Sequence, residues 1–275
     1  MSNYIGLDAA GTAAIPNSWS GVDIFTAAAS NIIGEVGKGN VISGNGNYGI
    51  ALSGSGTSMN SVKGNLVGLN APATEGIGNA FSGMILFNGA KSNTIGNSAP
   101  GAGNMIAFNG TSTAGFFSGI DVFDSTTTGN DFNANSVFSN SHLGINLAGG
   151  NENGFGVTAN DSGDSDSGPN KLQNYPVLTS ANGQVVIQGS FNSVASKPYR
   201  IDFFSSPAAD PSGFGEGQTW IGSLNVTTDV TGNATLNVDF PGSLAPGSIV
   251  TATATGTGTG GSGTSEFSAA IVVVP

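Results

Sequence analysis

Gly39-Asn40-Val41-Ile42-Ser43-Gly44-Asn45 is the stretch that decides the reading of this chain. Two asparagines stand five residues apart and bracket a short apolar pair. The same pattern returns as Asn65-Leu66-Val67-Gly68-Leu69-Asn70, Asn104-Met105-Ile106-Ala107-Phe108-Asn109 and Asn135-Ser136-Val137-Phe138-Ser139-Asn140. A copy of one short motif at loose intervals is the signature of a stacked repeat. Its first asparagines form a column, Asn40, Asn65, Asn104 and Asn135, with Asn3 one coil earlier. Its second asparagines form another, expected as Asn45, Asn70, Asn109 and Asn140, with Asp8 at its start.

Working outward, each coil contains two more segments. A Gly followed by an apolar residue stands at Gly21, Gly49, Gly83, Gly119 and Gly144. Ten or eleven residues after the first four of these comes a third asparagine column, Asn31, Asn60, Asn93 and Asn130. The glycine-to-glycine distances are 28, 34, 36 and 25 residues, so the strands keep their spacing and the connections absorb the differences. A constant offset of 62 residues also aligns 3–34 with 65–96, from Gly6-Leu7 on Gly68-Leu69 to Ser30-Asn31 on Ser92-Asn93. Apolar residues fall in columns too. Val22, Ile50, Met84, Ile120 and Ile145 form one; Ile5, Ile42, Val67, Ile106 and Val137 form another. Period two within each short strand sends one set inward. One coil alone cannot bury its stripe, whereas a stack makes a continuous core.

Composition agrees with stacking. The 275 residues include 45 Gly and 30 Asn, no Cys, and only 8% charged residues, against about 25% in ordinary domains. Like charges repeated at strand spacing repel, while amides stack. At the bends, each Asn is expected to donate to its copy about 4.8 Å along the axis. Six Lys plus Arg and a net charge of −11 exclude a phosphate-binding surface, so no nucleic-acid partner is expected. Absence of Cys removes disulfides and thiol chemistry. No apolar run approaches the roughly 20 residues of a membrane span, and no membrane insertion is expected. Residues 1–20 carry no signal-peptide pattern. The pattern is already running at Asn3, which leads us to expect a piece of a longer exported protein, at the cell surface or outside the cell.

Asn31-Ile32-Ile33-Gly34 together with Gly39-Asn40-Val41-Ile42-Ser43-Gly44-Asn45 resembles the right-handed parallel β-helix repeat proteins of bacterial surface and secreted type. The resemblance covers about residues 3–150 and implies a fold, not an activity. The expected architecture is therefore all-β: a right-handed parallel β-helix of about five coils over 1–150, an acidic junction over 151–174, and a small antiparallel Ig-like β-sandwich over 175–275. Short alternating runs at 175–178, 184–191, 198–205, 218–228, 233–240, 248–255 and 264–274 predict the sandwich strands. In this region Tyr199-Arg200-Ile201-Asp202-Phe203-Phe204, Gly215-Glu216-Gly217 and Thr264-Ser265-Glu266-Phe267-Ser268 resemble an accessory domain that follows such repeats. That resemblance implies a cap on the last coil, whose apolar end and strand edges are otherwise open.

Candidate sites are few. Lyases of this fold work with an Arg or Lys base, yet the repeat part has no Arg, and Lys38, Lys63 and Lys91 fall at different positions in their coils. Asp23 and Asp121 share a column but sit three coils apart, roughly 14 Å, too far for a retaining pair. Asp121 with Asp124 is the best local acid pair, and the bend after Phe123 is expected to aim both outward. Trp19, Phe81, Phe117 and His142 stand two residues before their glycines, either as a ring strip for sugars or as a packed corner ladder; the packed ladder is preferred. Asp161, Asp164 and Asp166, with Asn170, offer oxygens for a structural Ca²⁺. A solvated acidic turn is the preferred alternative, and no other cofactor is expected. The functional reading is a non-catalytic structural or adhesive module. Its partners would be cell-surface glycans or other copies of itself. The competing reading is a polysaccharide-binding or polysaccharide-degrading protein.

Overall fold

The computed structural model describes residues 2–115, 117–258 and 260–275. Three parallel sheets account for the first half. Tyr4–Ile5, Val41–Ile42, Leu66–Val67, Met105–Ala107 and Ser136–Phe138 lie side by side in that order. Val22–Ile24, Ile50–Ser53, Met84–Phe87, Ile120–Val122 and Ile145–Leu147 form the second sheet, and Ile32–Ile33, Ser61–Val62, Thr94–Ile95 and Asp131–Phe132 the third. Every strand pairs with its counterpart one circuit away in the chain. That arrangement is consistent with a parallel β-helix.

Register follows the apolar columns. Val22 faces Ile50, Ile50 faces Met84, Met84 faces Ile120, and Ile120 faces Ile145. A shift by one residue would turn every one of these outward, so the columns hold the stack in register. Ile42, Ile50, Leu52, Met84, Leu86, Ile95, Ile106 and Ile120 are completely buried in one cluster. Residues of the first coil, Ile5, Val22 and Ile33, are only partly covered.

Two glycines show why the Asn-x-Ile-Gly motif ends as it does. Gly34 and Gly96 have φ of +78° and +85°, a region that favours glycine. A Cβ on Gly34 would also come within 2.3 Å of Asn65 Oδ1, and one on Gly96 within 2.4 Å of Asn135 Oδ1. The glycine vacates the space in which the next coil's asparagine lies.

Antiparallel structure begins after a junction whose only regular element is a 3₁₀ turn, Pro169–Leu172. One sheet contains Val177–Ala181, Val186–Asn192 and Asn233–Asp239. The other contains Thr219–Thr227, Pro198–Ser206 and Ile249–Gly256, with Gly263–Thr264 and Ile271–Val272 both on the last of these. Ile187, Phe191 and Leu236 from the first and Ile201, Phe203 and Val250 from the second share one apolar cluster.

The strand expected over 264–274 is broken, and the reason is the stack. Residues 265–270 leave strand geometry, and the hydroxyls of Ser265 and Ser268 accept the Ala254 and Ala252 N–H groups that a strand would have served. This frees Phe267 to enter the apolar cluster of the parallel sheets, together with Phe204 and Leu172. Phe204 and Phe267 meet edge to face at 5.3 Å. Main-chain pairing seals the same end. Val137 and Gly217 exchange hydrogen bonds of 2.9 and 3.0 Å, and Thr264 N–H donates to Asn130 O at 3.0 Å. The antiparallel region thus covers the C-terminal end of the parallel stack and extends its core.

Phe267→Ala removes the ring that fills this end. The expected loss is about 3–5 kcal/mol, as for other buried phenylalanines, read from the denaturant midpoint. A midpoint within experimental error of the parent would show that Phe267 does not hold the two halves together.

Candidate functional site

The dominant polar feature is three asparagine ladders, one at each bend. In each, a side-chain Nδ2 donates to the Oδ1 of the next rung toward the C-terminus. Asn31, Asn60, Asn93 and Asn130 form the first, with donor distances of 2.9, 2.9 and 3.0 Å. Asn3, Asn40, Asn65, Asn104 and Asn135 form the second, at 2.8, 3.0, 2.9 and 2.9 Å. In these two ladders each interior Oδ1 takes a second hydrogen bond from the main-chain N–H of the rung before it, as Asn104 Oδ1 does from Asn65 at 3.1 Å. The other Nδ2 hydrogen goes back to a main-chain carbonyl one coil earlier, as from Asn104 to Val62 O at 2.8 Å. From the second rung onward these amides are buried, and their hydrogen bonds to one another stand in for charge.

Two assignments from the sequence are corrected here. Asn70 is not a rung. The third ladder runs Asn17, Asn45, Asn79, Asn109, Asn140. Asn70 Oδ1 instead accepts from Thr74 and Glu75 N–H, closing a local turn, as Asp8 does with Thr12 and Ala13. An excursion of the chain separates each from the true rung nine residues later, and a count of five from the preceding column cannot see it. Asn170 is not a cation ligand either. It is completely buried, accepts from Asn130 N–H at 3.0 Å, and continues the first ladder into the junction.

At the C-terminal end the ladders present donors without a next rung. A carboxylate from the antiparallel region meets one of them, and further acceptors from that region take main-chain N–H groups beside the ladders. Glu216 Oε1 accepts from Asn140 Nδ2 at 2.8 Å, and its two oxygens lie 3.4 and 3.3 Å from Asn140 N. Glu266 takes the N–H groups of Leu147 and Thr158 at 3.0 and 2.9 Å. Thr264 Oγ1 takes Phe132 N–H at 2.8 Å. Burial pushes both glutamates up to about 8, against the pull of the hydrogen bonds they accept; Asp210 raises Glu216 further and Glu152 raises Glu266. A protonated carboxyl keeps one carbonyl oxygen, the same acceptor that an Asn Oδ1 supplies. Beside them Arg200 clamps Asp131 of the last third-sheet strand through two contacts of 3.1 and 2.6 Å, with Asp202 on its Nε at 2.8 Å. Sequence reasoning placed no partner on Arg200; its alternation with Asp202 along one strand was the available signal.

The proposed acid pair does not converge. Asp121 is 2% exposed, not aimed outward, because the sheet face it lies on is covered. It accepts from Ser82 Oγ, from Asn146 Nδ2 at 2.9 Å and from Ser118 N at 3.4 Å. Burial holds its carboxyl above the usual range. Asp124 is exposed and caps a bend, accepting from Asn88 N at 2.5 Å and from Thr126 and Thr127. Burial works to raise it, but these hydrogen bonds outweigh that and hold it low. The two acids serve different turns.

Rings at the first bend stack on one another. Phe81 and Phe117 lie 4.3 Å apart and nearly parallel, and Tyr48 meets Phe81 edge-on at 5.4 Å. The faces of Phe81 and Phe117 that meet are spent on each other rather than offered to a sugar. In the coil of Gly49 the residue two before the glycine is Asn47, and its neighbour Tyr48 provides the ring. Trp19 is 73% exposed, while His142 is half-buried at the opposite end of the column.

In the junction, Asp161, Asp164 and Asp166 bring carboxylate oxygens within 4.8 Å of one another. Asp164 is buried, accepts from Asn174 N at 3.0 Å and from Ser193 Oγ, and is pushed up to about 6, first by burial and then by its two acidic neighbours. Asp166 Oδ1 is buried without a hydrogen-bond partner.

No protein-family model matches the chain, and a search of curated proteins finds no match. Among the described residues, no helix is long and apolar enough to cross a membrane.

The raised glutamates set a pH dependence. Their folded values of about 8 lie above the ordinary 4.5, so the folded chain keeps protons that the unfolded chain releases. Stability is therefore expected to fall as pH rises from about 5 to 8. Glu216→Gln with Glu266→Gln should flatten the melting temperature across that range, because an amide does not titrate; it keeps one acceptor oxygen of the two that Glu266 uses, so the melting temperature itself is expected to be lower. A parent melting temperature that climbs between pH 5 and 8 would contradict the assignment.

Proposed function

We propose that the chain is a non-catalytic structural or adhesive module of an exported, cell-surface protein. In this reading it is a rigid stalk: a right-handed parallel β-helix of about five coils over 1–150, a junction over 151–174, and an Ig-like β-sandwich over 175–275 that closes one end. The observation that supports it is the use made of the acids. Asp121, Asp124, Glu216 and Glu266 all act as hydrogen-bond acceptors for neighbouring coils or bends. Hydrolysis of a glycosidic bond needs two carboxyls about 5–10 Å apart across an open groove, and these acids serve separate structural ends. Low charge and the absence of Cys accord with a surface that carries its solubility on amides and hydroxyls.

The alternative is a polysaccharide-binding protein, and the exposed Trp19 ring is what favours it. Incubation with a panel of polyuronates and neutral glycans separates the readings. No cleavage is expected. Reproducible cleavage that is lost in Asp121→Ala would overturn the structural reading, and saturable glycan binding lost in Trp19→Ala would establish the alternative.

We further propose that Asp161, Asp164 and Asp166 hold a structural Ca²⁺. Three carboxylates in mutual reach and the unpartnered Asp166 Oδ1 fit a hard cation that takes six to eight oxygens. The melting temperature is expected to rise with millimolar Ca²⁺ and to fall with chelator. A value independent of Ca²⁺ removes the ion from the account.

A further inference from the structure

The ladders have a direction, and it makes the two ends of the stack chemically different. Donors point toward the C-terminus, where Glu216 and Asn170 accept them. At the N-terminal end the first rungs are Asn3, Asn17 and Asn31. Among the described residues, their Oδ1 atoms accept no hydrogen bond, whereas Asn65 Oδ1 takes two, from Asn40 N at 2.9 Å and Nδ2 at 3.0 Å. They also lack the carbonyl that receives the second Nδ2 hydrogen elsewhere, as Ile33 O does for Asn65 at 2.9 Å. Each corner therefore lacks one main-chain N–H, one amide N–H and one carbonyl.

The apolar surface agrees. Ile5, Val22 and Ile33 are partly exposed, while their column neighbours Ile42, Ile50 and Val62 are completely buried by the coil in front of them. Edge strands with unpaired groups are surfaces on which further strands add. Glu35 and Lys38 pair with each other at 3.8 Å.

We propose that the face carrying Asn3, Asn17 and Asn31 is a one-way docking surface for a further β-helical coil. That coil enters in parallel register with its corner asparagines donating to this chain. The occupant is specified by what is missing. A second copy arriving face to face brings no main-chain donors at two corners, since Asn3 and Asn31 have already given theirs to Asn40 and Asn60 at 3.3 and 2.9 Å. A copy arriving with its other end presents the antiparallel region instead of a coil. Only a coil whose donors face this end continues an interface that the chain already repeats.

The 62-residue offset supplies the probe. Residues 3–64, copied in front of Asn3 in the full chain, place Asn40, Asn45 and Asn60 of the copy as donors to Asn3, Asn17 and Asn31. The amides of Tyr4, Gly6, Ile32 and Gly34 in the original coil should then exchange with solvent slower by about tenfold or more, with one unfolding transition at a higher temperature. Exchange as fast as in the parent, while Met84–Phe87 stays protected, overturns the proposal. So does equal protection when the copy carries Asn40→Leu, Asn45→Leu and Asn60→Leu, because the amide direction would then be irrelevant. Sedimentation of the parent is expected to show a monomer; a dimer that protects the same four amides would assign the face to self-pairing instead.

Discussion

A head-to-tail amide hydrogen bond between asparagines one coil apart is the interaction on which this structure depends. It joins a short apolar strand to its copy without a charge, a disulfide or a long sheet. An interior rung such as Asn65 uses its Oδ1 twice and its Nδ2 at least twice, so its amide is satisfied by the stack alone. A net contribution of about 1 kcal/mol per hydrogen bond is modest, but an unpaired buried amide costs more. The ladders therefore work as a requirement: wherever one coil ends, something must complete the next rung. The apolar columns supply the driving force for stacking, and the ladders fix its spacing and direction.

That direction explains the composition of the closure. A stack that ends in donors needs acceptors: the antiparallel region delivers Glu216 Oε1 to the Asn140 amide, and Glu266 Oε1 and Thr264 Oγ1 to the strand N–H groups of Leu147 and Phe132. The junction delivers Asn170 Oδ1. Two carboxyls are buried for this purpose, and both hold their protons more firmly than free glutamates. The contact between the halves is thus sensitive to proton concentration, although the ladders themselves carry no titratable group. Arg200 adds an ion pair at the same boundary, with its charge matched by Asp131 and Asp202.

The acids that look catalytic in isolation illustrate how stacking redirects chemistry. Asp121 occupies an outward position by strand alternation and is nonetheless buried, held by Ser82, Asn146 and the Ser118 main chain. Phe81 and Phe117 occupy a column that could face a sugar, yet they face each other. In a repeat, the nearest ligand for a side chain is its own copy.

Periodicity was legible in the residues themselves. The inward columns, the first two ladders and the antiparallel strands through residue 256 all follow from local spacing, because a stacked position repeats its own chemistry. The assignments that failed are those set by contacts across the stack. Asn79 replaces Asn70 because an excursion breaks the count, and Asn170 joins the first ladder from forty residues beyond Asn130. Glu216, Glu266 and Phe267 stand in segments that resemble an accessory domain, but nothing local says that they complete the last coil. Alternation and spacing report on neighbours in the chain and on exact copies. Which unlike residue meets the last rung is decided only when the two halves pack, since that acceptor is chosen by an unsatisfied donor lying 76 residues away.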